Sequence, residues 1–531
     1  MVKILIGNFT SNISGYLPDE VNDKLNSVLA YKINGIEHSD KVKKGYWDGY
    51  FRLYYKNKGQ SFYSGLVSLV IEILKQNNIK YQICDMRVRP EENLCHLEFS
   101  PPPKYVERDY QQFAIDKSLT KTRGILKMAT GSGKTMCCAE LISRIKTAPF
   151  MFYVLTKDLL DQAYDTFAST LNEPIGRIGG GYFDVKNINV CTVQTVIRAV
   201  NMNNSNFKIS DYAYDDEDKG SWDDDQINDV DKLSRINRLL LDTKGIIVDE
   251  AHHAASKTII DVVSASPKAF WRYGATATPY REDGADILLQ SMFGQKLVDI
   301  SATYLIDKEF LVPPYIFFER INHDVDFHSW QSIYSNCITK NDDFNSHVAA
   351  TANHLISRGL TVLILVQQYA QGEFIKKLIP NTEFVTGKMT TNKRKESIED
   401  LRQQRVKCMI ATTLADEGLD VPSLDAVLLA GGGASATRIY QRIGRVLRPN
   451  KNAVVPKTKA IVIYYDHNAK YLDKHTAKAR KIIKAEPAFN IIKSKGSAFI
   501  NQEIDHLLGF SDEVKSIFDK HSEDASYGTK T

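Results

Sequence analysis

The chain has 531 residues, enough at roughly 100–200 residues per domain for three or four domains with a sizeable core in each. Hydrophobic residues at 43% and charged residues at 25% exclude a disordered or fibrous chain, and a net charge of +4 is too mild to point to nucleic acid unaided. The seven cysteines are scattered without a C-x-x-C, which excludes a zinc ribbon or disulfide framework. The opening MVKILIGNFTSNISG has no signal-peptide core, and no apolar run approaches the ~20 residues of a membrane span, so a cytoplasmic setting without membrane contact is expected (the host cytoplasm if phage-encoded).

Residues 1–100 are rich in Tyr, Lys and Ile and end at Pro101-Pro102-Pro103, a stiff break that neither a helix nor an inner strand can cross. Within them, Trp47-Asp48-Gly49 predicts a turn between strands. Lys43, Lys44 and Arg52 interleave there with Tyr46, Tyr50, Tyr54 and Tyr55, a mixture suited to phosphate contact and base stacking. The plainer reading makes those aromatics the core of a small domain. From 104 to 305, short apolar runs alternate with helical patterns: Phe150 to Thr156, Asn187 to Thr195 and Lys244 to Glu250 predict buried parallel strands. The stretch 200–235 breaks that alternation with an acidic cluster, Asp215 to Asp218 and Asp223 to Asp225. It reads as a solvated insertion, or alternatively as a DNA mimic or a docking site for a basic partner. From 315 to 480 the alternation returns, with Leu360 to Val366, Lys407 to Thr413, Ala426 to Gly433 and Lys459 to Asp466 as strands. The fold class is therefore α/β, two parallel-sheet lobes in tandem behind a small α+β domain, with 485–531 a helical tail frayed at its end.

Ala129-Thr130-Gly131-Ser132-Gly133-Lys134-Thr135 follows the strand-like GILKM and precedes the helical MCCAELISRI. Strand, glycine loop and helix is the context that a phosphate cradle needs, because backbone N–H groups and a helix N-terminus then converge on the anion. Lys134 is placed to reach the β and γ phosphates, and Thr135 to ligate Mg²⁺. The strict pattern wants a glycine where Met128 stands. Independently, the apolar Ile246 to Val248 runs into Asp249-Glu250-Ala251-His252, so a strand end delivers two carboxylates to the edge where α/β sheets bind ligands. Asp249 is expected to hold Mg²⁺ and Glu250 to deprotonate the attacking water. Much further along, Gln441-Arg442-Ile443-Gly444-Arg445-Val446-Leu447-Arg448 predicts the opening of a helix with Arg442, Arg445 and Arg448 on one face, suited to charge spreading onto a γ phosphate. ATP and Mg²⁺ are the expected ligands.

ATGSGKT, DEAH and QRIGRVLR in this order resemble the superfamily 2 helicases and translocases over roughly residues 104–480, which implies two RecA-like lobes. The resemblance implies further roles. Arg108 and Gln111 would read the adenine, Lys157, Gly180, Gln194 and Thr195 would grip the strand in the first lobe, and His252, Thr276 and Thr278 would couple ATP to DNA. Thr412 and Thr413 would touch the strand in the second lobe, where Gly418 and Asp420 would touch nucleotide. Ile300 to Ile316 would carry the hinge. Lys43 to Val67 is similar to the leading domain of the phage UvsW-type DNA helicases, where a Trp-Asp-Gly turn precedes a basic strand and a Gly-Leu-Val helix start. That likeness implies a monomeric motor on single-stranded and branched DNA, active in fork regression, branch migration and D-loop dissociation. The acidic insertion departs from it. The competing expectations are a restriction-system motor subunit, for which no nuclease carboxylate-lysine cluster is evident, an RNA helicase, and an ATP-switched annealing protein that does not unwind.

Overall fold

The computed structural model describes residues 1–32, 40–103, 105–202, 229–252, 257–277, 286–324, 329–387, 389–412, 424–432, 436–450, 456–492 and 499–510. It divides into two compact units, Met1–Ser301 and Ala302–Thr531. The division falls at the start of the segment expected to act as a hinge. That segment is itself largely ordered, with a helix Ala302–Asp307 followed by a strand from Pro314.

The first unit holds three described sheets, of eight, five and two strands, the last pairing Ala30–Lys32 with Tyr50–Arg52. Its main sheet has eight strands, in spatial order Tyr182–Asp184, Ile175–Gly179, Ile188–Thr192, Phe150–Val154, Gly245–Val248, Trp271–Thr276, Arg123–Met128 and Lys296–Ile300. Every pairing is parallel except that of the edge strand Tyr182–Asp184. Inner strands such as FMFYV and INVCT are buried at every position, as a sheet covered by helices on both faces requires. Their carboxyl ends therefore share one edge, and the loops after Met128, Val248 and Thr276 lie together there.

The five-stranded sheet, drawn from residues 2–85, has Val2–Ile6 between Thr10–Ser14 and Tyr81–Asp85. It is not a detachable appendage. Val2, Ile4, Ile13, Leu66, Val70 and Leu74 belong to the same apolar cluster as Leu288, Leu289, Met292 and Phe293 of the lobe. Gly65 permits the contact, because a Cβ there would lie 2.1 Å from the Gln290 carbonyl oxygen. Arg123 donates to the Asn8 carbonyl at 2.6 Å, and Asn8 donates to that of Pro267 at 3.1 Å.

The second unit has one seven-stranded, wholly parallel sheet, in order Thr382–Val385, Cys408–Thr412, Val362–Val366, Ala426–Leu429, Ala460–His467, Pro314–Ile321 and Asn490–Ile492. Two parallel-sheet lobes behind a small α+β domain agree with the sequence-derived fold class. The tail differs from expectation. Asn490–Ile492 adds a strand to the sheet, and the helix Ile500–Leu508 buries Ile500 and Ile504 in the lobe's core. Asp505 anchors that helix through Arg358 (2.8 Å) and His354 (2.9 Å). No described helix is long and apolar enough to cross a membrane.

Candidate active site

The strand Arg123–Met128 ends in the glycine loop, and the helix Lys134–Ile145 begins directly after it. Gly131 and Gly133 both take left-handed backbone angles, φ +84° and +82°, which bend the loop over the helix N-terminus at no steric cost. The buried Ser132 hydroxyl has no hydrogen-bond partner among the described residues, as expected of a group that faces a bound phosphate.

Lys134 Nζ lies 3.0 Å from Glu250 Oε1 and 3.9 Å from Asp249 Oδ1. Three largely buried ionisable groups from two strand ends thus meet. Burial works against the Lys134 ammonium, but Glu250 and then Asp249 outweigh it, and its pKa is raised. Burial pushes the Asp249 carboxyl up to about 6, against the opposing pull of Lys134. Asp249 also accepts the Glu250 N–H at 2.9 Å, and Glu250 itself has φ +48°, an uncommon angle for a residue with a side chain. Such strain persists where surrounding contacts over-determine it, and it concentrates at functional sites. His252 Nδ1 and Thr276 Oγ1 lie 2.9 Å apart, joining the ends of two neighbouring strands. Oxygen donors at Thr135 and Asp249 and the Lys134 ammonium suit a magnesium-bound phosphate chain. Thr278 lies outside the described residues, as do Thr413, Gly418 and Asp420.

Gln111 is 1% exposed, and both ends of its amide are engaged. Nε2 donates to the Ser132 carbonyl at 3.0 Å, while Oε1 accepts from Tyr105 OH at 2.9 Å and from the Arg108 N–H at 3.1 Å. Tyr110 OH donates to the same Ser132 carbonyl at 2.7 Å, and Arg108 Nη1 to Tyr110 OH, also at 2.7 Å. In this state the Arg108–Gln111 element braces the phosphate loop rather than presenting a free base-reading amide. Tyr105 was missed by sequence reasoning; only its nearness to Arg108-Asp109-Tyr110-Gln111 signalled it.

A second cluster lies at the same sheet edge. Gly179, Gly180 and Gly181 all have positive φ, and a Cβ on Gly180 would come within 2.9 Å of Lys157 Cγ. Lys157 begins one helix, and Thr192 caps another by accepting from the Thr195 N–H. Gln194 and Thr195 are 4% and 0% exposed, which replaces direct strand contact by their side chains with a supporting role. Gln194 donates to the Leu155 carbonyl, and Thr195 Oγ1 is 2.9 Å from Thr192 Oγ1.

In the small domain, Trp47-Asp48-Gly49 sits between the helix Asp40–Lys43 and the strand Tyr50–Arg52, not between two strands. Trp47 Nε1 donates to the Tyr50 carbonyl at 3.0 Å, and Arg52 is paired with Asp48, whose carboxyl is lowered to about 2 chiefly by that bond. Arg52 is therefore committed to the turn, whereas Lys43 and Lys44 are exposed.

In the second unit, Thr412 ends its strand 7% exposed, with its hydroxyl unpartnered among the described residues. The helix runs Ala436–Val446, so Gln441, Arg442 and Arg445 close it rather than open it. Arg448 lies beyond its end, immediately before Pro449, and the one-face spacing does not extend to it. Burial lowers the Arg448 pKa. The acidic cluster lies outside the described residues, and the end of the expected insertion is helical, Val230–Asp242, capped by Asp229.

Residues 104–281 match the family described as type III restriction enzyme, res subunit, and residues 346–450 the helicase conserved C-terminal domain. A putative helicase 22 of a Sulfolobus islandicus filamentous virus is 25% identical over 389 residues, 68% of this chain and 64% of that one. The DNA 3'-5' translocase XPB2 of Sulfurisphaera tokodaii is 25% identical over 426 residues, 70% of this chain and 86% of that one. The crystal structure of UvsW of phage T4 aligns with 93% of this chain and 99% of that one, at 20% identity and a TM-score of 0.42.

Proposed function

We propose, from the premise that the chain belongs to the superfamily 2 helicases, that it hydrolyses ATP to move along DNA and acts on branched DNA. Forks, migrating junctions and D-loops in recombination, repair and replication are the substrates meant. The observation that carries the reading is the Lys134–Glu250 pair, 3.0 Å apart at the mouth of the glycine loop. The β and γ phosphates of an entering nucleotide would replace the Glu250 carboxylate as the partner of Lys134. Glu250 is then released to take the proton of the attacking water. Thr135 and Asp249 would hold Mg²⁺, which when bound neutralises charge on the phosphates. Arg108 and residues 129–133 would hold the nucleotide, with Gln111 bracing the loop, aided by Gly418 and Asp420.

In the second lobe, Gln441, Arg445 and Arg448 are proposed to stabilise charge on the transferred phosphoryl group. A guanidinium out of water acts more strongly on such charge than an exposed one. His252 and Thr276, with Thr278, would pass the state of the nucleotide to the strand-gripping loops. Lys157, Gly180, Thr412 and Thr413 would contact the strand; Lys43, Lys44 and the aromatic turn would contact duplex. The DNA assignment draws on the name of the archaeal translocase. A monomer is proposed, and a basic protein partner at the acidic segment is the one protein contact put forward.

A panel of forks, D-loops, four-way junctions, single strands and RNA duplexes tests this directly. Faster ATP turnover and strand displacement on branched DNA than on RNA are expected; stimulation by RNA alone would overturn the substrate. A second reading, the motor of a restriction system, draws on the description of the first matching family. ATP-dependent cleavage of unbranched duplex in the same panel would favour it.

A further inference from the structure

Trp330, in the second unit, has its large ring 39% exposed, an uncommon cost for an aromatic that could have been buried. Its short helix, Trp330–Tyr334, lies at the carboxyl edge of the sheet, because Tyr334 OH donates to the Gly431 carbonyl at 2.7 Å, just past the strand Ala426–Leu429. Trp330 lies 5.5 Å from the Tyr334 ring and 5.1 Å from that of His475, with Tyr471 edge-on at 6.4 Å. The indole is thus flanked by three rings and yet keeps part of its surface open.

A depression of about 290 Å³ opens beside it, lined among others by Trp330, Tyr334, Thr339, Gln367 and Gln368. The Thr339 hydroxyl is buried there without a hydrogen-bond partner among the described residues. Gln367 and Gln368 directly follow the strand Val362–Val366, whose last residue pairs with Thr412. The depression therefore adjoins the proposed strand contact of this lobe.

The charge beside it is positive. In the helix Leu472–Ile483, Lys478 lies three residues after His475 and so borders the aromatic cluster, and Lys474, four residues before Lys478, continues the basic row. Both lysines are exposed, and Asp473 is the only acid between Lys470 and Lys484. Tyr471, just before the helix, has φ +70°, a strained angle that sets its ring against Trp330. Aromatic rings with a flanking basic row are what a single nucleic-acid strand requires: a surface for the base and cations for the backbone.

We propose that Trp330 is a stacking platform for a base of single-stranded DNA, with the phosphates of that strand following Lys474 and Lys478. This rests on the reading of the chain as a DNA motor and adds to it a base-contacting aromatic outside the helicase motifs.

The test is the affinity of the full-length protein, without nucleotide, for a labelled oligo-dT and for the same strand bearing abasic sites, compared for wild type, Trp330→Ala and Trp330→Phe. Stacking predicts that Trp330→Ala weakens oligo-dT binding about tenfold, that Trp330→Phe restores most of it, and that wild type and Trp330→Ala bind the abasic strand alike. Lys474→Glu with Lys478→Glu should weaken both strands equally and flatten the salt dependence. Wild-type affinity in Trp330→Ala, or an equal loss on both strands, would overturn the platform while leaving the motor intact. Should Trp330→Ala fail to fold, the wild-type comparison of the two strands decides, since equal affinity for them also overturns it. Failure of wild type to bind any single strand would instead overturn the DNA reading, and preference for an oligo-U of RNA would overturn the choice of DNA.

Discussion

Asp249 and Glu250 owe their placement to the end of a fully buried strand, and the cost of holding them shows in the Asp249 carboxyl at about 6 and in the Glu250 φ of +48°. Local sequence made these residues legible, since an apolar strand running into two acids and a glycine loop running into Lys-Thr are contiguous patterns. The Gln111 amide was not legible in the same way. Its partners Tyr105 and Ser132 meet it only after the loop folds over the following helix. At this scale the arginines give the sharpest expectation. Arg445→Ala should keep nucleotide affinity while hydrolysis falls by ~10³-fold or more. Nucleotide binding and single-turnover hydrolysis measured side by side check it; retained hydrolysis would remove Arg445 from the reaction.

At the scale of elements, the seven apolar runs read as strands all are strands, six of them within three residues of their expected ends and Ala426–Leu429 four short of Gly433, because a run buried on both faces has no polar alternation to confuse it, whereas the equally buried Trp271–Thr276 was not read as one. The strands of residues 2–85 were harder. They are two to five residues long, half-exposed, and gain their order from packing on the neighbouring lobe. The strand Asn490–Ile492 was missed for the same reason, three residues whose register is set by the distant Tyr315–Phe317. Gly65 is where one such contact can be tested. Gly65→Val would drive a side chain into the Gln290 and Ser291 carbonyls, 2.1 and 2.5 Å from its Cβ. Overpacking of this kind costs about 1–3 kcal/mol. A lower thermal midpoint, with a new proteolytic site near the junction, is the expected outcome; an unchanged midpoint would show that the small domain packs loosely.

For the molecule as a whole, each unit is built on a largely parallel sheet with its candidate site loops at the carboxyl edge, and the small domain shares the core of the first. Removing residues 1–100 would uncover that core, so point changes at Lys43 and Lys44 isolate DNA contact better than truncation does. Nucleotide turnover at the Lys134–Asp249–Glu250 cluster, accelerated by DNA, is what is proposed to drive the chain. Steady-state ATP hydrolysis with and without single-stranded DNA, for wild type and Lys134→Ala, tests it most directly. DNA-stimulated turnover is expected in wild type and its loss in Lys134→Ala, with DNA binding preserved. Near-normal turnover in Lys134→Ala, or a wild type indifferent to DNA, would contradict it.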